Sequence, residues 1–414
     1  MDEQKALAWL GRKIGWGFTP GQFDAWARMG VAEVIDMLVE PDAHQVPERT
    51  DRFAGADPDD ERSQRMARLA TLGWIENAVT SPRPLETFME FFWSDFFAIS
   101  FRVVRPRNLM LPYMNRLARL SLGNFTNLLG AISRDPAMLD FLDGGRNTKR
   151  SPNENYAREL LELYSVGVGH FDEDDVYAAS RALTGWHLNR QTGTTEFRPE
   201  NHDDTLQELL GVSGVNNLVN VVNAVVGHPA TAPRIVGLLA EAILGLGYDE
   251  TLTEELVVNF ADDMEIKPVV RGLLELGTQG HATDAILEPL AWYVTARRFP
   301  LSQPAERSLR VYFDQSGQPP LFPPNVGGYP PPLSYLSTSA TIARLNMATH
   351  LVEQSFRPIV GEDFVRETRN LEELAFSLGL MDGFAPATEE ALDALSPGMN
   401  RLAAALASPD VLVV

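Results

Sequence analysis

The stretch Ser151 to Tyr164, SPNENYARELLELY, places three glutamates, two asparagines and an arginine within about four helical turns. Carboxylates gathered at helical spacing can ligate a cation, move protons, or satisfy a neighbouring arginine. Read locally, Ser151 is an N-cap, Pro152 fits the first helical position, and Glu154 closes a capping box. Glu154 then has a structural task. Asn155, Arg158, Glu159 and Glu162 form a polar stripe opposite Tyr156, Leu160, Leu163 and Tyr164. Glu154 with Arg158 and Arg158 with Glu162 are oppositely charged i,i+4 pairs, so the stripe reads either as a salt-bridged face or as the wall of a polar pocket.

A pocket needs partners from elsewhere in the chain, and the best candidates are His202, Asp203 and Asp204 in RPENHDD. An imidazole beside carboxylates, set opposite Glu159 or Glu162, would bind a divalent metal or act as an acid/base pair. The plain competing reading is a polar turn. Arg102, Arg105 and Arg107 concentrate positive charge in FRVVRPR. They would pair internal carboxylates or, together with Arg158, hold a small anion. Phe91, Phe92, Trp93, Phe96 and Phe97 form an aromatic block, broken by Ser94 and Asp95, that reads as core.

Several chemistries are excluded. Without cysteine there is no disulfide, thiolate nucleophile or Cys-ligated zinc, and no His-Glu-x-x-His, phosphate-binding glycine loop or Gly-x-Ser-x-Gly elbow occurs. A net charge of -21 over 414 residues repels nucleic acid and anionic lipid, and no apolar run reaches the ~20 residues of a membrane-spanning helix. The first residues, MDEQKALAWLGRKIGWG, lack the pattern of a secretory signal, so the sequence as it stands reads as cytoplasmic, or as secreted if a leader has been removed.

The elements that must position these residues are helical. The apolar fraction of 44% suits a packed core, and the dominant period is 3.6. The reading is all-α: a large multi-helix domain over 1–356 and a C-terminal helical segment over 357–414 belonging to the same domain or detachable from it. Residues 43–65 read as an exposed acidic loop. Residues 187–214 are irregular with room for a short strand pair. Residues 315–335, QSGQPPLFPPNVGGYPPPLSY, carry prolines and glycines too closely for a helix and read as a packed loop. Asp135 with Pro136, and Asp172 with its acidic first turn, mark helix starts.

Taken together, DPAMLDFLDGGRN, PNENYARELLELYSVGVG, DVYAASRALTGW, NHDD, GHPATAPRI, GQPPLFPPNVGGYP and ARLN occur in an order that resembles the bacterial family catalogued as domain of unknown function 1800. The resemblance implies a mainly helical fold and an unassigned biochemistry. It also implies a possible protein partner, since genes of this family often neighbour those of a sulfatase-like or phosphatase-like family. It brings forward Asn153, Glu154, Asn155, Arg158, Glu159 and Glu162 on the motif helix, Arg181, Thr184, Gly185 and Trp186 at the next helix end, and His202 and Asp203. The chain departs from the family pattern where Trp-His-Asn-His-Phe is replaced by Trp93-Ser94-Asp95-Phe96-Phe97. Thr205 and Gln207 stand where a glycine and a lysine are usual, and Tyr329 and Tyr335 where tryptophans are usual.

If the missing imidazoles and lysine carry chemistry in relatives, these changes remove it. The expectation is therefore a non-catalytic binding or assembly protein with no cofactor, in which Asn153, Asn155, Arg158, Arg181 and Trp186 belong to a buried polar network. Its rival is a hydrolase or metal-dependent enzyme in which Glu159, Glu162, His202 and Asp203 converge on one point, with Glu159, His202 and Asp203 as metal ligands.

Overall fold

The computed structural model describes residues 1–47, 64–299, 301, 303–355 and 368–414. From the N-terminus run α1 (Glu3–Lys13), α2 (Gln22–Met29), α3 (Val31–Val39), α4 (Gln64–Thr80) and α5 (Pro84–Phe96). Next come α6 (Met110–Leu120), α7 (Phe125–Ser133), α8 (Pro136–Phe141), α9 (Asn155–Glu162) and α10 (Glu173–Ala182). After two small hairpins follow α11 (Leu218–Val226), α12 (Thr231–Leu244), α13 (Glu254–Asp263), α14 (Ile266–Leu276), α15 (Pro289–Arg298), α16 (Glu306–Ser316) and α17 (Thr338–Ser355). The chain closes with α18 (Leu371–Ser377), α19 (Pro386–Asp393), α20 (Met399–Leu406) and α21 (Pro409–Leu412). The fold is predominantly all-α.

Local chemistry explains several starts. Asp2 accepts from Lys5 N (2.9 Å), Asp135 from Ala137 N (2.8 Å) with Pro136 at the first position, and Asp172 with Asp175 makes a full capping box. In α5 the aromatic block buries only in part: Trp93 and Phe97 are fully enclosed, with Trp93 Nε1 donating to Ser121 O (2.8 Å), while Phe91, Phe92 and Phe96 are half-buried.

Between 187 and 214 there are two antiparallel pairs. β1 (Trp186–Asn189) pairs with β2 (Thr194–Phe197), and β3 (Gln207–Leu209) pairs with β4 (Val212–Val215) around a bulge. Leu210 and Gly211 both take positive φ, the geometry of a two-residue hairpin turn, which accounts for the second pair. Of the acidic stretch 43–65, residues 48–63 lie outside the described residues, and so do 357–367 of the C-terminal segment.

One hydrophobic core runs from Leu7 to Leu412. Trp292 Nε1 donates to Leu406 O (2.8 Å), and Arg12 reaches Asp410 O (2.7 Å), so the C-terminal helices pack on α15 and α1. Ala285 and Val414 exchange backbone hydrogen bonds (2.8 and 2.9 Å), which fixes the segment leading into α15. Residues 319–336 form an irregular loop ending in a short 3-10 turn, held to α5 where Tyr329 N donates to Asp95.

Candidate functional site

The motif helix opens later than its sequence suggests. Ser151 is not an N-cap, because its N–H and C=O are both spent on Thr148 in a tight bridge (2.9 and 3.3 Å). The N-cap position falls to Glu154, whose side chain makes no cap bond; just ahead of it Asn153 Oδ1 accepts from Asn155 N (2.9 Å) in an Asx turn, and α9 begins at Asn155. Glu154 therefore closes no capping box; it pairs with Arg158 (3.3 Å). Arg158 turns away from Glu162 to grip both oxygens of Glu173 on α10 (2.8 and 2.7 Å). That pair lies at the surface, where water competes for both groups, rather than inside a buried network. Asn153 Nδ2 and Asn155 Nδ2 donate to Asp143 O (3.3 Å) and Leu142 O (3.1 Å), tying the preceding loop to the helix.

The other motif residues form a separate cluster at the end of α10. Arg181 Nε donates to Asp203 Oδ2 (2.7 Å) and Arg181 Nη2 to Thr205 Oγ1 (3.1 Å). Thr184 Oγ1, fully buried, accepts from Asp203 N (2.7 Å) and donates to Arg181 O (2.7 Å). The His202 ring meets Thr184 O through Nδ1 (2.9 Å) and packs on Phe197, which also touches Trp186. Gly185 makes this possible: its φ is +94, and a Cβ there would lie 2.9 Å from His202 Cβ. Thr205 and Arg181 hold the Asp203 carboxyl below its usual range despite burial.

No contact among the described residues joins Glu159 or Glu162 to His202 or Asp203, and no group of three or more His, Asp or Glu is placed to hold a metal ion. Glu159 is half-buried and its carboxyl is raised by burial and by Glu162, with Arg158 opposing. The arginines do not gather either. Arg105 spends its guanidinium on the carbonyls of Phe101, Val104 and Arg102 (2.9, 2.6 and 3.2 Å), and Arg158 is held by Glu173.

The concave site lies elsewhere, in a cavity of about 370 Å³ between α1, α5, α12, the start of α15 and the Pro/Gly loop. Trp16, Phe88, Phe91, Phe92 and Phe96 line it on one side, with Leu163, Leu238, Ala242, Ile286 and Ala291 among the aliphatic lining. Its polar groups are Lys13, Asp95, Glu288 and Arg234, with Glu241 and Asp284 exposed at the rim. The motif helix reaches it at its C-terminal end: Leu163 lines the wall, and Arg234 donates to the freed carbonyl of Leu163 (2.8 Å), a favourable place for a cation.

Each polar group is fixed by its element. Lys13 ends α1, buried at 8% exposure. Asp95 projects from the last turn of α5, and its Oδ1 accepts from Tyr329 N (2.7 Å). Gly328 permits that approach, since its φ is +84 and a Cβ would fall 2.4 Å from Asp95 Oδ1. Glu288 is the N-cap residue of α15. Gln318 clamps it, donating Nε2 to Glu288 Oε2 and accepting from Leu290 N (2.9 Å).

Burial dominates the electrostatics. It raises Glu288 to about 8, assisted by Asp95 and opposed by Gln318 and Lys13. It raises Asp95 to about 6 against the Tyr329 hydrogen bond, and lowers Lys13 to about 8 against Glu288. Burial thus draws the two carboxyls up and the amine down, so that an acid, a base and an amine share one cavity with their titrations brought toward one another. Sequence reasoning assigned none of the three to a site. The available signals were the Asp95 break in the aromatic block and the scarcity of lysine, with Lys5, Lys13, Lys149 and Lys267 the only ones.

Fold and cavity define a helical protein with an aromatic-lined pocket that carries a titratable floor. The chain belongs to the family described as Protein of unknown function (DUF1800), whose match spans residues 9–413. No curated protein and no solved structure matches it.

Proposed function

We propose that this chain is a small-molecule-binding protein, and that its ligand is an amphipathic compound seated in the cavity, with its apolar body against Trp16, Phe91, Phe92 and Phe96 and its polar end at Lys13, Asp95 and Glu288. The observation that carries the reading is the convergence of three titratable side chains from distant parts of the chain on one aromatic-lined pocket. A ligand site of this kind is mostly apolar with a few placed polar groups. The motif helix and the Arg181–Asp203 cluster act as scaffold: their polar atoms are taken up by loops and neighbouring helices, and Arg234 links α9 to the cavity wall.

The test is a panel of aromatic and aliphatic amines, alcohols, acids and carbonyl compounds, followed by Trp16 fluorescence and thermal stabilisation. The expected result is selective stabilisation that Asp95→Asn and Glu288→Gln each weaken by tenfold or more, about 1.4 kcal/mol. Ala242→Phe, which narrows the cavity, should also weaken binding. Glu159→Gln and His202→Ala separate this reading from the metal-dependent alternative. Binding that follows these two variants and metal content, rather than Asp95 and Glu288, would return the site to the motif helix.

A further inference from the structure

We propose that Lys13 captures carbonyl compounds covalently: an aldehyde or ketone held in the cavity condenses with its amine to an imine, with Glu288 and Asp95 carrying the protons. The inference rests on the small-molecule reading above and names the ligand class.

The placement of Lys13 sets it apart from the other lysines. Lys5 is paired with Asp382 (2.7 Å), Lys267 with Glu40 (3.0 Å), and Lys149 is exposed. Lys13 is buried among aromatic side chains, lines the cavity, and makes no hydrogen bond or ion pair among the described residues. The Lys13 side chain is buried while its amine lines the cavity, and burial favours the form that has lost its proton. Both neighbouring carboxyls keep one oxygen uncommitted: Oδ1 of Asp95 is taken by Tyr329 and Oε2 of Glu288 by Gln318, while the second oxygen of each has no protein partner among the described residues.

The chemistry follows from that arrangement. The Lys13 ammonium gives its first proton to Asp95, and the free amine attacks the carbonyl carbon, forming a C–N bond as the C=O π bond breaks and the nitrogen's second proton passes to the oxygen. The carbinolamine then loses its hydroxyl as water, with Glu288 supplying the proton to the departing oxygen, and the nitrogen lone pair closes the C=N bond. Once water has left, the proton on Asp95 passes to the ionised Glu288 and restores both carboxyls. The net change is one carbonyl compound and one ammonium giving one protonated imine and one water, so no oxidant or reductant is required. Arg234, Glu241 and Asp284 are the remaining charged groups around the cavity.

The experiment traps the imine. The intact chain is incubated with 2-naphthaldehyde, hexanal or 4-phenylbutan-2-one in the presence of borohydride at about pH 7.5, and labelled peptides are located by mass spectrometry. At that pH an amine titrating near 8 is neutral on the order of a hundred times more often than one near 10.5. Lys13 should therefore be labelled at least about tenfold faster than Lys5, Lys149 or Lys267 after allowing for its lower nucleophilicity. Lys13→Arg should abolish the fast label, Glu288→Gln should slow it by about tenfold or more, and Lys149→Arg should leave it unchanged.

Labelling that tracks exposure, with Lys13 the slowest of the four, would overturn the proposal. The matching alcohols, 2-naphthalenemethanol and 4-phenylbutan-2-ol, form no imine and report the cavity alone. If they stabilise the protein while Lys13 stays unlabelled, the covalent step is wrong and the binding reading stands. If neither alcohols nor carbonyl compounds bind, both fail.

Discussion

Glu288→Gln gives the most direct measure of what the cavity does to its floor. Burial beside Asp95 raises this carboxyl from 4.5 to about 8. Between those values the folded chain holds a proton that the unfolded chain has released, so stability falls as pH rises through the window. One proton contributes about 1.4 kcal/mol per pH unit, which over the whole window sets an upper bound of roughly 5 kcal/mol. Glu288 keeps partial contact with the cavity, and screening there reduces the figure to about 2–3 kcal/mol. Glutamine matches the protonated acid in shape, still accepts from Gln318 and cannot ionise. The variant should equal the wild type near about pH 5 and exceed it by about 2–3 kcal/mol near about pH 8.5. Lys13 works in the opposite sense, since it is lowered from 10.5 to about 8. Between those values the unfolded chain holds the extra proton, and stability recovers as pH rises. Lys13→Met should remove that recovery. Denaturation followed by circular dichroism across this range, read as variant minus wild type, cancels the groups common to both, including Arg234, Glu241 and Asp284. A difference that is the same at both ends of the range would refute the placement of Glu288 in a low-dielectric floor.

Three further outcomes concern the scaffold. Thr184→Val removes a buried hydroxyl that accepts from Asp203 N and donates to Arg181 O, and should cost about 2 kcal/mol in urea denaturation; an unchanged midpoint would remove this hydroxyl from the framework. Gly185→Ala forces a positive φ on a side chain that meets His202, and a loss of about 2–3 kcal/mol is expected in thermal melts. Arg158→Ala, by contrast, breaks an ion pair open to water and should cost under about 1 kcal/mol, falling further in high salt; a loss of several kcal/mol would mean that the pair is buried after all.

Sequence pattern made the helical class legible because helical period and caps are local. Asp135 with Pro136 and Asp172 with Asp175 are satisfied within a turn, so their chemistry can be read from neighbours alone. Ser151 misled for the complementary reason: a bridge to Thr148 consumed its backbone, and the helix opens later, behind the turn that Asn153 makes to Asn155 N. Arg158 had two acidic candidates at i,i+4 spacing, but Glu173, fifteen residues on, offers a two-oxygen grip that a single helix face does not. The cavity was hidden by distance, since positions 13, 95, 234 and 288 meet only after the helices pack. Glu288 in particular looks like an ordinary residue before a proline-initiated helix.

Phe96, Asp95 and the backbone of Tyr329 come together at the cavity. Phe96 lines the cavity, Asp95 stands on its floor, and Tyr329 supplies the backbone N–H that holds Asp95. Ser94, one residue away, turns back to Phe91 O (2.8 Å). The apolar Phe96 wall offers the Asp95 carboxylate no hydrogen bond, and burial pushes that carboxyl upward. Among the described residues the two uncommitted carboxyl oxygens and the Lys13 amine have no hydrogen-bond partner, and all three side chains line the cavity. Asp95, Glu288 and Lys13 thus give the cavity a titratable floor, and a motif helix that looked like the source of chemistry contributes its last carbonyls to hold Arg234 at the wall of the pocket.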